Sequence, residues 1–199
     1  MTVGVLGGTF DPIHLGHVAA AAAAQHALSL DRIVLVPSHI PPHRSDPTTA
    51  SAEDRLAMAA LAADRPGWSA SRIEIDRDGP SYTYDTLVEL GNSSTQTFFI
   101  TGADAFAEIA TWSRYPAILD LANFVVVSRP GITLDSLRER VPSAFTTRPA
   151  TKTRVILVEA GTPDVSSTEI RRRARAGESL SGLVPESVAH YIHSHGLYR

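Results

Sequence analysis

The feature that most constrains this chain is its opening order of strand, glycine pair and helix. Residues 2–6 are short and apolar, Gly7 and Gly8 follow at once, and residues 18–24 are almost all alanine, the best intrinsic helix former. Residues 32–36 supply a second apolar run, so the start reads as a βαβ unit, which joins parallel strands. Further strands are expected at residues 72–75, 97–101, 124–128 and 155–159, with helical patterns at 52–63, 84–90 and 103–109. Strands alternating with helices predict an α/β fold, a doubly wound and mainly parallel sheet with helices on both faces. The tail, residues 166–199, reads as two more helices, the second starting near Pro185. We expect one domain over residues 1–199, with 166–199 as its C-terminal helical part.

Composition removes several kinds of chemistry. The chain has no cysteine, which excludes disulfides, thiolate catalysis and Cys-ligated zinc. Lys152 is the only lysine among 18 basic residues, a poor basis for Schiff-base catalysis. A net charge of −3 argues against a broad nucleic-acid footprint. No apolar run approaches a membrane span and no secretory leader pattern opens the chain, so no membrane partner and a cytoplasmic location are expected. Oligomeric state is not written in the sequence, and a homo-oligomer stays open.

The chemistry concentrates in residues 7–17, GGTFDPIHLGH, between the first strand and the first helix. In an open α/β sheet that connection lies at the carboxyl ends of the strands, where ligands bind. A glycine turn would let backbone approach a phosphate, and His14 and His17 fall beside the helix start, where unpaired amides and the positive dipole end favour an anion. For His26, His39 and His190 a structural role is the simpler reading. Zinc held by His14, His17 and His43 lacks a fourth ligand nearby and ranks low. Late in the chain, Ser166, Ser167 and Thr168 open a helix bearing Arg171, a second anion site. The same SSTE run also reads as an N-cap with a capping-box glutamate. Residues 38–50 hold three prolines and no apolar period, a long connection of the kind that carries function.

Taken together these segments resemble the nicotinate or nicotinamide mononucleotide adenylyltransferases of the HxGH nucleotidyltransferase superfamily, whose fold is Rossmann-like. GGTFDPIHLGH is similar to their signature, and PSHIPPHR at residues 37–44, PSYTYDT at 80–86, TGADAF with Trp112, SRPG at 128–131 and VSSTEIR at 165–171 follow in the family's order. The resemblance, closest to the bacterial nicotinate-preferring branch, implies transfer of AMP from ATP to nicotinate mononucleotide. It implies that His14, His17 and Arg44 are catalytic. ATP would be held by Gly7, Gly8, Thr9, Phe10, Gly16, Gly102, Asp104, Ser166, Ser167, Thr168 and Arg171 together with the two histidines. The mononucleotide would be held by Thr83, Tyr84, Trp112 and Arg129, with Trp112 stacked on the pyridine ring and Thr83 offering its amide to the carboxylate. Asp104 could instead be a helix cap. Mg2+ would be carried mainly by ATP phosphates and water. Two departures stand out: Arg44 replaces the family's lysine, a rigid fork for a point charge, and Tyr84 stands where an aliphatic residue is common. Nicotinamide mononucleotide and phosphopantetheine are the alternative acceptors. A non-catalytic nucleotide-binding regulator is the alternative of another class, and it should have lost the paired histidines, which are present here.

Overall fold

The computed structural model describes residues 1–42, 48–91, 95–128, 133–145 and 154–199. Six strands form one sheet: β1 (Thr2–Gly8), β2 (Arg32–Pro37), β3 (Trp68–Ala70), β4 (Gln96–Gly102), β5 (Asn123–Ser128) and β6 (Val155–Glu159). Their order is β3-β2-β1-β4-β5-β6, and the pairings of β1 with β4, β4 with β5 and β5 with β6 are parallel. The chain winds outward from β1 to β3 and then returns to β4 on the other side, the doubly wound order with its switch at β1 and β4. The helices are α1 (Leu15–Leu28), α2 (Ala52–Ala62), α3 (Thr83–Leu90), α4 (Ala103–Ala107), α5 (Leu134–Arg140), α6 (Ser167–Ala176) and α7 (Glu186–Ser194). Among the described residues no helix is long and apolar enough to cross a membrane.

The chain falls into two compact units, each made of separate segments. One comprises residues 1–7, 20–33 and 82–161. Its core is built on β4 and β5, continuous apolar strands as two-sided burial demands, with Phe106 of α4 tilted against Phe124 at 6.0 Å. The other comprises residues 8–19, 34–81 and 162–199. There α7 lies on α2, with Val188 and Ile192 buried and the Tyr191 hydroxyl donating to Asp54 Oδ1 at 3.0 Å.

Two expected elements differ. Residues 72–75 are not a strand: the Asp76 amide bonds back to the Arg72 carbonyl at 2.9 Å, and the Arg72 guanidinium pairs with Asp76 and Glu53, curling the segment into a turn. The strand is instead β3, which begins earlier, at Trp68. The helix expected over 103–109 ends at Ala107 and continues as a 3-10 turn at Ile109–Thr111.

Among the glycines of β1, Gly4 is the most closely packed. A Cβ there would lie 2.6 Å from Ile33 Cδ1, 2.8 Å from Leu30 Cδ1 and 3.0 Å from Ile100 Cδ1. Gly4→Val is therefore expected to lower unfolding free energy by about 1–3 kcal/mol through overpacking. A urea midpoint unchanged from wild type would contradict this.

Candidate active site

The glycine pair does not make the turn. Gly7 and Gly8 both continue β1, and neither has a positive φ. Gly8 serves space instead, since a Cβ there would stand 2.7 Å from Phe10 Cε1 in a fully buried ring. The bend falls at Phe10, whose φ is 51°, and is followed by a cis Asp11–Pro12 peptide. Asp11 is 1% exposed, and its carboxylate accepts the amides of Thr49 at 2.9 Å and Ala50 at 3.0 Å and the phenol of Tyr198 at 3.0 Å. Beneath the same loop the fully buried Arg55 donates to the carbonyls of Thr9, Ser38 and His39.

His14 and His17 stack, with ring centroids 3.7 Å apart and planes 26° apart. The His14 amide donates to His17 Nδ1 at 3.2 Å, which places the proton of a neutral His17 ring on Nε2 and makes that atom a donor. Phe10 meets His17 edge-on at 5.1 Å. Burial lowers the pKa of His14 to about 4, and burial together with the charge of His14 lowers His17 to about 3. Both rings are neutral near pH 7. His14 Nδ1 is buried and has no hydrogen-bond partner among the described residues, a costly arrangement. The glycine between them has a steric reason: a Cβ on Gly16 would come within 3.0 Å of His14 Nδ1.

The amides of the first turn of α1 are mostly consumed, contrary to expectation. Leu15 donates to the Leu183 carbonyl, and His17 and Val18 donate to the His14 carbonyl. Gly16 keeps the one first-turn amide without a partner among the described residues. An anion brought to this tip would therefore meet chiefly the two side chains.

The start of α6 is brought against this loop. Ser166 caps the helix by accepting the Glu169 amide at 3.2 Å. The Glu169 carboxylate pairs with Arg172 and Arg173, in place of the expected capping box. Ser167 Oγ donates to the Pro12 carbonyl at 3.0 Å, and Arg171 donates to the Asp11 carbonyl at 2.7 Å and to Thr168 Oγ1 at 3.3 Å. Ser166 and Thr168 remain exposed.

In the other unit, Thr83 is the first residue of α3, a position whose amide has no acceptor inside the helix. Tyr84 carries the Arg114 guanidinium 5.3 Å above its ring. Gly102 is itself the N-cap of α4, so exposed Asp104 is not the cap. Trp112 is half-buried and meets Phe99 edge-on at 5.9 Å, which fixes the indole while leaving part of it open. His43, Arg44 and Arg129 lie outside the described residues.

Sequence reasoning missed Arg55, Tyr198 and the role of Asp11. Arg55 is a charged residue on a buried helical face, for which sequence offers no sign of the three waiting carbonyls. Tyr198 lies 187 positions from its partner.

The cytidylyltransferase-like family model matches residues 5–173. A protein of Roseiflexus sp. strain RS-1, named probable nicotinate-nucleotide adenylyltransferase, is 45% identical over 99% of this chain and 98% of its own. One from Thermus thermophilus with the same name is 43% identical over the whole of both chains. Among solved structures, the nicotinic acid mononucleotide adenylyltransferase of Plasmodium falciparum complexed with NaAD superposes with a TM-score of 0.75, covering 99% of this chain and 97% of that one. At 17% identity this match bears on the fold, and it agrees with the doubly wound sheet.

The two neutral rings give a pH signature. An unfolded chain binds both protons near pH 6.5, while the folded chain resists them until about 4 and about 3. In that window the unfolded state holds more protons, so stability falls as pH drops from 6.5 toward 4. Between about pH 7 and about pH 5, wild type is expected to lose more stability than His14→Gln/His17→Gln, read from urea midpoints. Equal losses would mean the rings are not held neutral.

Proposed function

We propose that the chain, which belongs to the nicotinate-nucleotide adenylyltransferases within the cytidylyltransferase-like family, joins the 5′-phosphate of nicotinate mononucleotide to the AMP moiety of ATP. The products are nicotinate adenine dinucleotide and pyrophosphate. The observation that carries the reading is the pair of stacked, neutral imidazoles that follow a loop tied to α6 through the carbonyls of Asp11 and Pro12.

With no cysteine and one lysine, thiolate and Schiff-base routes have little to work with, and the reading adopted is direct displacement. An oxygen of the mononucleotide phosphate forms a bond to the α-phosphorus of ATP as the bond to pyrophosphate breaks. Such a step needs positioning and stabilisation of charge rather than covalent help. His17, its Nε2 proton fixed by the His14 amide, donates to an oxygen at the reacting phosphorus. His14 offers its unspent ring nitrogen beside it. The exposed hydroxyls of Ser166 and Thr168, with the remaining N–H groups of Arg171, receive the β and γ phosphates. Gly7, Gly8, Thr9, Phe10, Gly16 and Gly102 are assigned to ATP binding, with Asp104 on a ribose hydroxyl. Arg44 adds charge on the phosphates.

The half-open indole of Trp112 suits a flat pyridine ring, the Thr83 amide suits a carboxylate, and Tyr84 and Arg129 complete that pocket. Among the described residues no group of three or more His, Asp or Glu is arranged to hold a metal, and the Asp11 carboxylate is filled by two amides and a phenol. This donor set fits a Mg2+ that would arrive on the triphosphate, held mainly by phosphate oxygens and water, and would supply charge neutralisation there. We further take residues 1–199 to work as one catalytic domain.

The purified protein with ATP, Mg2+ and nicotinate mononucleotide is expected to release pyrophosphate. His17→Ala should lower kcat by about 10²–10³ while the melting temperature stays near that of wild type. Turnover should favour nicotinate mononucleotide over nicotinamide mononucleotide and phosphopantetheine. Reaction with phosphopantetheine alone would change the acceptor and keep the chemistry. ATP binding without any turnover would favour the regulator.

A further inference from the structure

We propose that Tyr198, next to the last residue of the chain, is a positioning residue for the phosphate site, its phenol latching the loop that carries His14 and His17. The proposal rests on the reading of that loop given above. Asp11 stands three residues before His14, and four donors hold it: its carbonyl is held by Arg171, its carboxylate by Thr49, Ala50 and Tyr198. The two amides belong to the segment leading into α2. The phenol reaches the carboxylate from the C-terminus.

Tyr198 is 4% exposed, and burial together with the Asp11 carboxylate pushes its phenol far above the ordinary range. The hydroxyl therefore stays protonated and donates to Asp11 at any working pH. Its φ of 67° is a left-handed conformation that a tyrosine seldom takes, so surrounding contacts hold it there. The C-terminal segment grips the loop a second time through the Leu183 carbonyl, which accepts the Leu15 amide at 2.9 Å.

This bond is not what docks α7. That helix is fixed to α2 by Tyr191 on Asp54 and by Ser187 Oγ on the Leu61 carbonyl. Removing the Tyr198 hydroxyl leaves the dock in place and deprives a buried carboxylate of a donor. Asp11 must then shift toward other donors or water, and His14 and His17 shift with it. Thr83 and Trp112, proposed to hold the mononucleotide, take no part in the latch.

The test compares Tyr198→Phe with Tyr191→Phe, each losing one phenol–carboxylate hydrogen bond, well below both melting temperatures. Tyr198→Phe is expected to lower kcat roughly 10-fold with an unchanged KM for nicotinate mononucleotide, since small displacements of catalytic groups cost rate. Tyr191→Phe should lose stability alone. A folded Tyr198→Phe with the kcat of Tyr191→Phe overturns the proposal. Because coupling is reciprocal, a non-hydrolysable ATP analogue should also slow hydrogen exchange in residues 186–199 of the native protein. Should Tyr198→Phe not fold, unchanged exchange on saturation with the analogue overturns the proposal. If the native chain makes no dinucleotide, the functional reading fails by itself, and the exchange experiment still judges the latch.

Discussion

A carboxylate taken out of water must find donors for its oxygens, because leaving it bare costs several kcal/mol. Asp11 meets that demand with partners from three places in the chain: the segment before α2, the C-terminal tyrosine and, at its own carbonyl, the arginine of α6. The requirement is strict in position, since a donor must stand at about 3 Å to form the bond. One buried charge thereby fixes the course of the loop between β1 and α1. Arg55 repeats the logic with opposite sign, the two terminal nitrogens of its buried guanidinium donating to the carbonyls of Thr9, Ser38 and His39. Buried ionic groups add little net stability. Here their effect is registry, a loop with one allowed path.

On that fixed path sit two neutral imidazoles, and their neutrality bears on the role proposed for them. Cationic histidines would attract a triphosphate strongly before and during reaction alike, which lowers KM without raising kcat. Rings kept neutral by burial act as dipoles, and at His17 the donor direction is set by a backbone bond. Phosphate oxygens placed beside them would oppose the desolvation effect and raise both pKa values, so proton affinity increases as the ligand seats. The stacked rings thus respond most where negative charge is closest.

Much of the fold is legible because burial writes itself into apolar runs. The succession β1, α1 and β2, together with β4, β5 and β6, is visible as short hydrophobic stretches at helical or strand spacing. What stays hidden are the positions where a residue's neighbour, rather than its own preference, decides. Gly8 suggests freedom of φ, and it is room for the Phe10 ring. Residues 72–75 carry strand-like isoleucines, yet the guanidinium of Arg72 reaches Asp76 and Glu53 and closes a turn. The paired histidines and the α6 hydroxyls can be picked out from motif and helix position. Asp11 lies within the same motif with nothing to mark it, because a carboxylate's burial depends on donors 38, 39 and 187 positions away.

The way α6 meets the loop follows from the same physics. Ser167 and Arg171 donate to backbone carbonyls, of Pro12 and Asp11, and not to side chains of the loop. A carbonyl has two lone pairs and no rotamer, so a bond to it reports the path of the main chain directly. Arg171 spends one arm of its fork this way and a second on Thr168, keeping the guanidinium plane fixed while other N–H groups remain for an anion. Lysine would offer three donors from a single point, without the rigid planar fork that separates the bracing arms from the N–H groups turned elsewhere. The late arginine is therefore a strut first, and its orientation toward any phosphate is a consequence of what it braces.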